Sequence, residues 1–276
     1  MPELPEVENV RRSLLKLVKG KTVEDVQIGW PKIIHYPLDI EQFQDALHGQ
    51  TFHGLERKGK FLVFQLDDYS LVSHLRMEGH YSVHKKGDPS DKHTHVVFGL
   101  TDGGELRYRD VRKFGTMHLL KKGTEAKQLP LSKLGPEPFS ADFSAAYLMD
   151  RFRKTDRIIK AVLLDQTIVA GLGNIYADEV LFRSAIHPCR RAKTLTEEEA
   201  ATLKSQIVQT LNEAIEAGGS SVNTYMNSLG LAGSFQNKLY VYGKKAQECV
   251  NCGTMIEKIK AAGRGTHFCP SCQILE

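Results

Sequence analysis

The spacing of apolar residues changes period twice along the chain. Val7, Val10, Leu14, Leu17 and Val18 fall on one stripe at helical spacing. Pro5 suits a first helical position, Glu6 and Glu8 complement the positive end of the helix dipole, and Lys16, Lys19 and Gly20 close the helix. This explains most of the opening MPELPEVE but gives Pro2 no part. The next segments are KTVEDVQIG from Lys21, FLVFQL from Phe61, THVVFGL from Thr94, ELRYRD from Glu105 and KFGTMHLL from Lys113. They alternate or are rich in β-branched and aromatic residues, with turn signals such as Asp102-Gly103-Gly104 between them, and predict an antiparallel sandwich or barrel.

Pro130, Pro136 and Pro138 interrupt the pattern and mark a linker. Helical spacing then returns around Phe143 to Arg153 and across Arg157 to Leu164. VAGLGN follows, with Asn174 as the expected N-cap of IYADEVLFRSAI. Thr196 and Glu199 form a capping box for a long helix with Leu203, Ile207, Leu211 and Ala214 on one face, stopped by Gly218-Gly219. GGSSVNTYMNSLGLAGSFQNK has no period, and a loop of about twenty residues is usually functional or disordered. There is no internal repeat.

The predicted fold class is α+β and multidomain. Residues 1–130 form an N-terminal helix plus antiparallel β-sandwich, 131–142 a linker, 143–237 an all-helical domain carrying the loop 218–237, and 238–276 a small metal-bound hairpin.

Composition narrows the class. Hydrophobic residues make up 41% of the 276 and charged residues 25%, as in ordinary globular proteins. No apolar run approaches the roughly 20 residues of a membrane span. The acidic, proline-bearing start is unlike a signal peptide, so a cytoplasmic protein without a membrane partner is expected. A net charge of +4 is too weak to announce nucleic acid by itself. The cations do cluster, at Arg57, Lys58 and Lys60, at Arg107, Arg109, Arg112 and Lys113, and at Arg151, Arg153, Lys154, Arg157 and Lys160.

Cys249, Cys252, Cys269 and Cys272 give C-x2-C, sixteen residues and C-x2-C, the spacing of a zinc ribbon. Four thiolates leave no open position for water, so the metal is expected to be one structural Zn²⁺, with no organic cofactor. The residues between the pairs read as a hairpin, MIEKIKA rising and THF returning around a Gly263-Arg264-Gly265 tip that exposes Arg264 to phosphate. Cys189 is left over as a free, inert thiol.

PELPEVE, RKGKFL at Arg57 to Leu62, HLRMEG at His74 to Gly79, DVRKFGT at Asp110 to Thr116, GLGNIYADE at Gly171 to Glu179 and GRGTHFC resemble, in order and spacing, bacterial formamidopyrimidine-DNA glycosylase. The resemblance covers essentially the whole chain. It implies a helix-two-turn-helix in the helical domain, DNA across a cleft, and a monomeric repair enzyme that acts on damaged double-stranded DNA by base flipping. Its activity would be bifunctional, excising 8-oxoguanine and formamidopyrimidines and then cleaving the abasic site.

The resemblance also implies roles. Pro2, exposed once Met1 is removed, is the nucleophile, because a secondary amine attacking C1′ gives an iminium that stays cationic without a proton. Glu3 is the acid/base residue, Lys60 holds the phosphate or sugar of the lesion, and Arg264 contacts phosphate beside the reacting centre. Met77, Arg112 and Phe114 fill the gap left by a flipped nucleotide. His74 and Asn174 bind backbone phosphate, and Ser220, Thr224 and Tyr225 close over the flipped purine. Asn223 stands where many members have Arg, and Asn9 where many have Thr. Two rivals are an endonuclease VIII-like glycosylase for oxidised pyrimidines and a zinc-ribbon DNA-binding protein without catalysis. PELPE, where the former resembles PEGPE, and the Pro2, Glu3 and Lys60 set argue against them.

Overall fold

The computed structural model describes residues 1–221, 228 and 230–275, so Asn223, Thr224 and Tyr225 lie outside the described residues. The chain divides into two compact units. One comprises Met1–Ser132 with Gly218–Gly233, the other Lys133–Ala217 with Ser234–Glu276. The aperiodic segment after the long helix thus begins within the N-terminal unit.

In the first unit α1 (Leu4–Val18) precedes β1 (Val23–Ile28), β2 (Ile34–Tyr36) and α2 (Ile40–Leu47). The strands β3 (Gly54–Lys58), β4 (Phe61–Gln65), β5 (Tyr69–His74), β6 (His80–Lys85), β7 (Thr94–Leu100), β8 (Gly104–Arg109) and β9 (Thr116–Lys121) follow. They build a four-stranded sheet in the order β1-β7-β8-β6 and a five-stranded sheet in the order β2-β9-β5-β4-β3. All pairings in these sheets are antiparallel except β2 with β9.

Val26, Phe98, Leu106 and Tyr108 from one sheet share a core with Leu62, Phe64, Leu71 and Met117 from the other, and the expected stripe of α1 joins them through Val7, Val10, Leu14 and Val18. The sandwich is therefore as predicted, but β3, β5 and β6 were not foreseen. GLERK and YSLVSH lack a clean apolar alternation, and HYSVHK alternates only through Tyr81 and Val83, too short a signal among its polar residues. KFGTMHLL divides, with Lys113 to Gly115 in the irregular connection that precedes β9 and only the remainder in the strand.

In the second unit α3 (Ala145–Arg153) and α4 (Ile159–Leu163) precede α5 (Asn174–Arg183) and α6 (Glu197–Glu216), and β10 (Glu257–Ala261) pairs with β11 (Arg264–Phe268). The capping box of α6 forms as expected, with Thr196 Oγ1 accepting the Glu199 N–H at 3.2 Å and the Glu199 carboxylate accepting the Thr196 N–H at 2.8 Å.

Two details correct the sequence reading. The N-cap of α5 is Gly173, and Asn174 is its first helical residue. The tip of the ribbon hairpin is Ala262-Gly263, both left-handed at φ +52° and +70°, as a two-residue turn demands. Arg264 accordingly begins β11 opposite Ala261.

Replacing Thr196 with Ala should lower stability by about 1 kcal/mol, the usual worth of such a cap. Denaturant unfolding of the two proteins measures it, and Thr196→Ser should restore most of the loss.

Candidate functional site

The first unit gathers its candidates around the start of α1 and one end of the sandwich. Glu3 is the N-cap of α1, and both it and Glu6 are buried. The Glu6 carboxylate accepts the Glu3 N–H at 2.8 Å through Oε2 and the Ser220 N–H at 2.7 Å through Oε1. A residue read as a dipole complement therefore ties the chain start to the Gly/Ser segment. Gly219 lies at φ +84°, and a side chain there would press on Glu6. Ser220 Oγ is buried without a hydrogen bond among the described residues.

Glu8, also read as a dipole complement, meets Arg11 and Arg12 at 2.8 Å and Arg57 at 3.4 Å. Burial pushes its pKa up, but the guanidinium groups outweigh burial and hold it low. Arg11 also donates to the Leu55 carbonyl at 3.2 Å, so moving from Arg11 to Glu8 along α1 moves from Leu55 to Arg57 along β3. The start of α1 thus runs toward the Gly59-Lys60 turn that joins β3 to β4. Gly59 supplies the φ of +56° there, and Lys60 is buried. Asn9 closes locally, its side-chain amide donating to the Pro5 carbonyl at 2.9 Å.

His74 pairs with Phe61 across β4 and β5. It is buried, with its ring edge-on to that of Phe61 at 4.6 Å. Its Nδ1 accepts the Arg76 N–H at 2.9 Å, which places the ring proton on Nε2. Burial first, then the charges of Arg76 and Lys60, lower its pKa to about 3. The phosphate candidate is therefore a neutral imidazole that also shapes the turn holding Met77.

Arg112 and Phe114 sit on the turn between β8 and β9. The buried Asp110 carboxylate organises it, accepting the N–H groups of Arg112 at 3.0 Å, Phe114 at 2.9 Å and Gly115 at 2.8 Å. The Arg112 guanidinium lies 4.9 Å from the Phe114 ring centroid, and Phe114 and Met77 are 52% and 39% exposed. In each turn a cation takes the left-handed conformation beside the apolar residue, Arg76 at φ +52° and Lys113 at φ +57°. Such a backbone costs about 1 kcal/mol or more and persists only where its surroundings impose it.

In the second unit the Asn174 side chain donates to the Gly265 carbonyl at 3.0 Å, so α5 and β11 bring the two phosphate candidates, Asn174 and Arg264, into one neighbourhood. Beneath them Lys160 and Asp178 form an ion pair at 2.5 Å with no exposed surface. Lys160 Nζ also donates to Thr266 Oγ1 at 2.7 Å, and Asp178 Oδ2 accepts the His267 N–H at 2.9 Å. Removing either charge would leave the other buried and unpaired, a loss of about 3 to 5 kcal/mol. Lys160 gave no sequence signal beyond its place in a basic cluster. Next to Asp178, the Glu179 carboxylate accepts the N–H groups of Tyr240, Val241 and Tyr242 at 2.8 to 2.9 Å and fixes the approach to the ribbon.

The sulfur atoms of Cys249, Cys252, Cys269 and Cys272 all lie within 4.8 Å of one another. Contacts of 3.5 Å for Cys252 with Cys269 and with Cys272, and of 3.9 Å for Cys249 with Cys272, bracket the edge of about 3.8 Å that a tetrahedron of Zn–S bonds produces. They are far beyond the roughly 2 Å of a disulfide. Cys189 stands apart, a free thiol whose pKa burial raises.

A capped N-terminal helix on a β-sandwich, a helical unit presenting an asparagine beside an arginine-bearing hairpin, and a four-thiolate knuckle together define a modular nucleic-acid-binding class. Residues 1–117 match the profile of the formamidopyrimidine-DNA glycosylase N-terminal domain, 134–226 that of the H2TH domain of the same enzymes, and 246–274 that of a zinc finger found in FPG and IleRS. Formamidopyrimidine-DNA glycosylases of Bacillus subtilis and Bacillus cereus are each 58% identical over 273 residues, which is 99% of this chain and 99% of theirs. Among solved structures, Lactococcus lactis Fpg in complex with abasic-site DNA superimposes with a TM-score of 0.92 at 44% identity, covering 99% of both chains. MutM in complex with DNA containing carbocyclic 8-oxo-G also gives 0.92 at 44% identity, over 99% of this chain and all of that one. The chain belongs to the formamidopyrimidine-DNA glycosylase family, and its four cysteines are the site of one structural zinc. None of its described helices is long and apolar enough to cross a membrane.

Two outcomes follow. His74 has a folded pKa of about 3 against 6.5 for the exposed group, so the unfolded chain binds the extra proton between those values. Its contribution to stability is complete above pH 6.5 and falls as the pH drops toward 3. His74→Asn keeps an acceptor for Arg76 and should shrink the stability difference between pH 7 and pH 5, read by urea unfolding, by about 2 kcal/mol. Cys269→Ser should release zinc, detected with a chromogenic chelator, and abolish DNA binding in gel shifts. Full binding without metal would contradict the structural role of the ribbon.

Proposed function

We propose that this chain excises oxidised purines, chiefly 8-oxoguanine and formamidopyrimidines, from double-stranded DNA and cleaves the strand at the resulting abasic site by β,δ-elimination. Family membership supports the reading. The observation that carries it in this chain is the Glu6 carboxylate, which joins the N-H of Glu3 to that of Ser220, so that a terminal amine and a purine-covering loop share one anchor.

Once Met1 is removed, the Pro2 nitrogen is a secondary amine at the head of a capped helix. Its lone pair attacks C1′ and the glycosidic bond breaks, its electrons leaving with the base, and the proton lost from the newly bonded nitrogen balances the one the base takes up. Glu3 supplies a proton to O4′ as the sugar ring opens and the iminium forms. Loss of a proton from C2′ then expels the 3′ oxygen, a second elimination expels the 5′ oxygen, and water frees Pro2. Retained Met1 would turn that nitrogen into a tertiary amide with no lone pair to offer.

Lys60 and Arg264 hold the phosphates flanking the lesion, and His74 donates Nε2–H to the backbone. Asn174, at the amide-rich start of α5, binds a further phosphate. Met77 and Phe114 take the vacated stacking space, and Arg112 pairs with the orphaned base. Ser220, with Thr224 and Tyr225, covers the flipped purine. Zinc has no part in the chemistry, because all four of its positions are thiolate. In this reading residues 1–130 are the catalytic domain, 131–142 a linker, 143–237 the helix-two-turn-helix domain with its capping loop at 218–237, and 238–276 the ribbon. The enzyme works as a monomer in the cytoplasm.

Incubation with a duplex holding 8-oxoguanine opposite cytosine, followed by borohydride, should leave a covalent adduct that peptide mapping places on Pro2. A variant with one residue inserted between Met1 and Pro2 should give none. Absence of both adduct and nicking in the unmodified protein would end this reading, and faster cleavage of a thymine glycol duplex would move the substrate to oxidised pyrimidines.

A further inference from the structure

Met77 and the Arg112-Phe114 pair sit on separate turns, yet one helical gap has to receive all three. Each turn has its own internal brace, the His74 ring for the first and the Asp110 carboxylate for the second. Neither brace sets the distance between the turns.

Both turns end on a glycine, and both glycines face the same atom. A methyl group on Gly115 would overlap Tyr108 Oη and lie 2.7 Å from Cζ. One on Gly79 would overlap the same Oη and lie 2.9 Å from Cζ. Tyr108 itself cannot give way, being fully buried with its ring 4.9 Å from that of Tyr81, whose hydroxyl donates to Ser73 Oγ at 2.8 Å. Tyr108 Oη has no hydrogen bond of full geometry among the described residues, but the Asp110 carboxylate that braces the second turn interacts with it. The hydroxyl therefore reaches both glycines and that brace, a length that a phenylalanine lacks.

We propose that Tyr108 is a positioning residue that sets the Met77 turn and the Arg112-Phe114 turn in register, its hydroxyl wedged between Gly79 and Gly115. This rests on the glycosylase reading above. The chemistry of Pro2 is then separate from the quality of gap filling, and Tyr108 governs the latter, including how well Arg112 meets the opposite base.

Gly115 takes an ordinary backbone conformation, since it is not among the positive-φ residues, so Gly115→Ala tests contact and not strain. Its methyl should push Tyr108 against the Met77 turn and reduce the preference for 8-oxoguanine opposite cytosine over adenine by about 10-fold or more, given how steeply function falls with misplacement. The fluorescence rise of a 2-aminopurine beside the lesion should be lost with it. Nicking of an abasic single strand, which has no stack to fill, should stay near the unmodified level. Adding Tyr108→Phe removes the overlapped hydroxyl and leaves only the 2.7 Å approach to Cζ, so it should recover part of the preference.

Failure of Tyr108→Phe to recover any of it, or equal loss on the single strand, would overturn the proposal. An unmodified protein inactive on both substrates would refute the glycosylase reading instead.

Discussion

One carboxylate carries the first unit's site. Glu6 accepts an N–H from Glu3, three residues away, and another from Ser220, 214 residues away. A hydrogen bond to a charged group is worth about 1.5 to 3 kcal/mol, and an amide buried without its acceptor costs a comparable amount. The start of α1 and Ser220 are therefore not independently free to move. Glu3 is held from both sides, its N–H given to Glu6 and its own side chain accepting from the backbone of Glu6 in a reciprocal capping box, so its carboxylate is fixed at the head of the helix.

The same device recurs wherever an irregular segment must present a side chain. Asp110 gathers three amides under the Arg112-Phe114 turn, Glu179 gathers three before the ribbon, and Asp178 accepts the His267 amide while meeting Lys160. Turns and loops leave amide donors without partners in any ladder, and burying them is affordable only if each finds an acceptor. An acidic side chain satisfies several at once and fixes their relative positions. Flexible-looking sequence thus becomes rigid without any apolar core of its own.

This explains what could be read from the sequence and what could not. Period and capping revealed α1, α6 and the strands whose apolar faces alternate, and the cysteine spacing revealed the zinc site, because each is a local pattern. Glu6, Lys160 and Asp178 act through partners as far as 214 residues away, and nothing near them in sequence announces it. Glu6 even had a satisfactory local explanation as a dipole complement, which hid its second role. Asn174 failed for a related reason. It suits an N-cap, yet Gly173 takes that place and the asparagine side chain is drawn to Gly265 instead. The hairpin tip was off by a short step, since Gly-Arg-Gly suggested a turn centred on Arg264 whereas Ala262 accepts a left-handed backbone.

The protonation states of these anchors fit the chemistry proposed for Pro2. His74 stays neutral down to about pH 3, and burial, with Tyr81 and Asp110 close by, keeps the Tyr108 phenol protonated well above its ordinary range. Neither group changes charge anywhere near neutrality, so the turns bearing Met77, Arg112 and Phe114 keep one shape across the working range. An α-amino group ordinarily titrates at about 7.7 to 8.0. In the chemistry proposed for Pro2 the amine would therefore change charge near neutrality while His74 and Tyr108 do not, and an alkaline rise in glycosylase rate would follow the free-base fraction of that amine and not a change in these two groups.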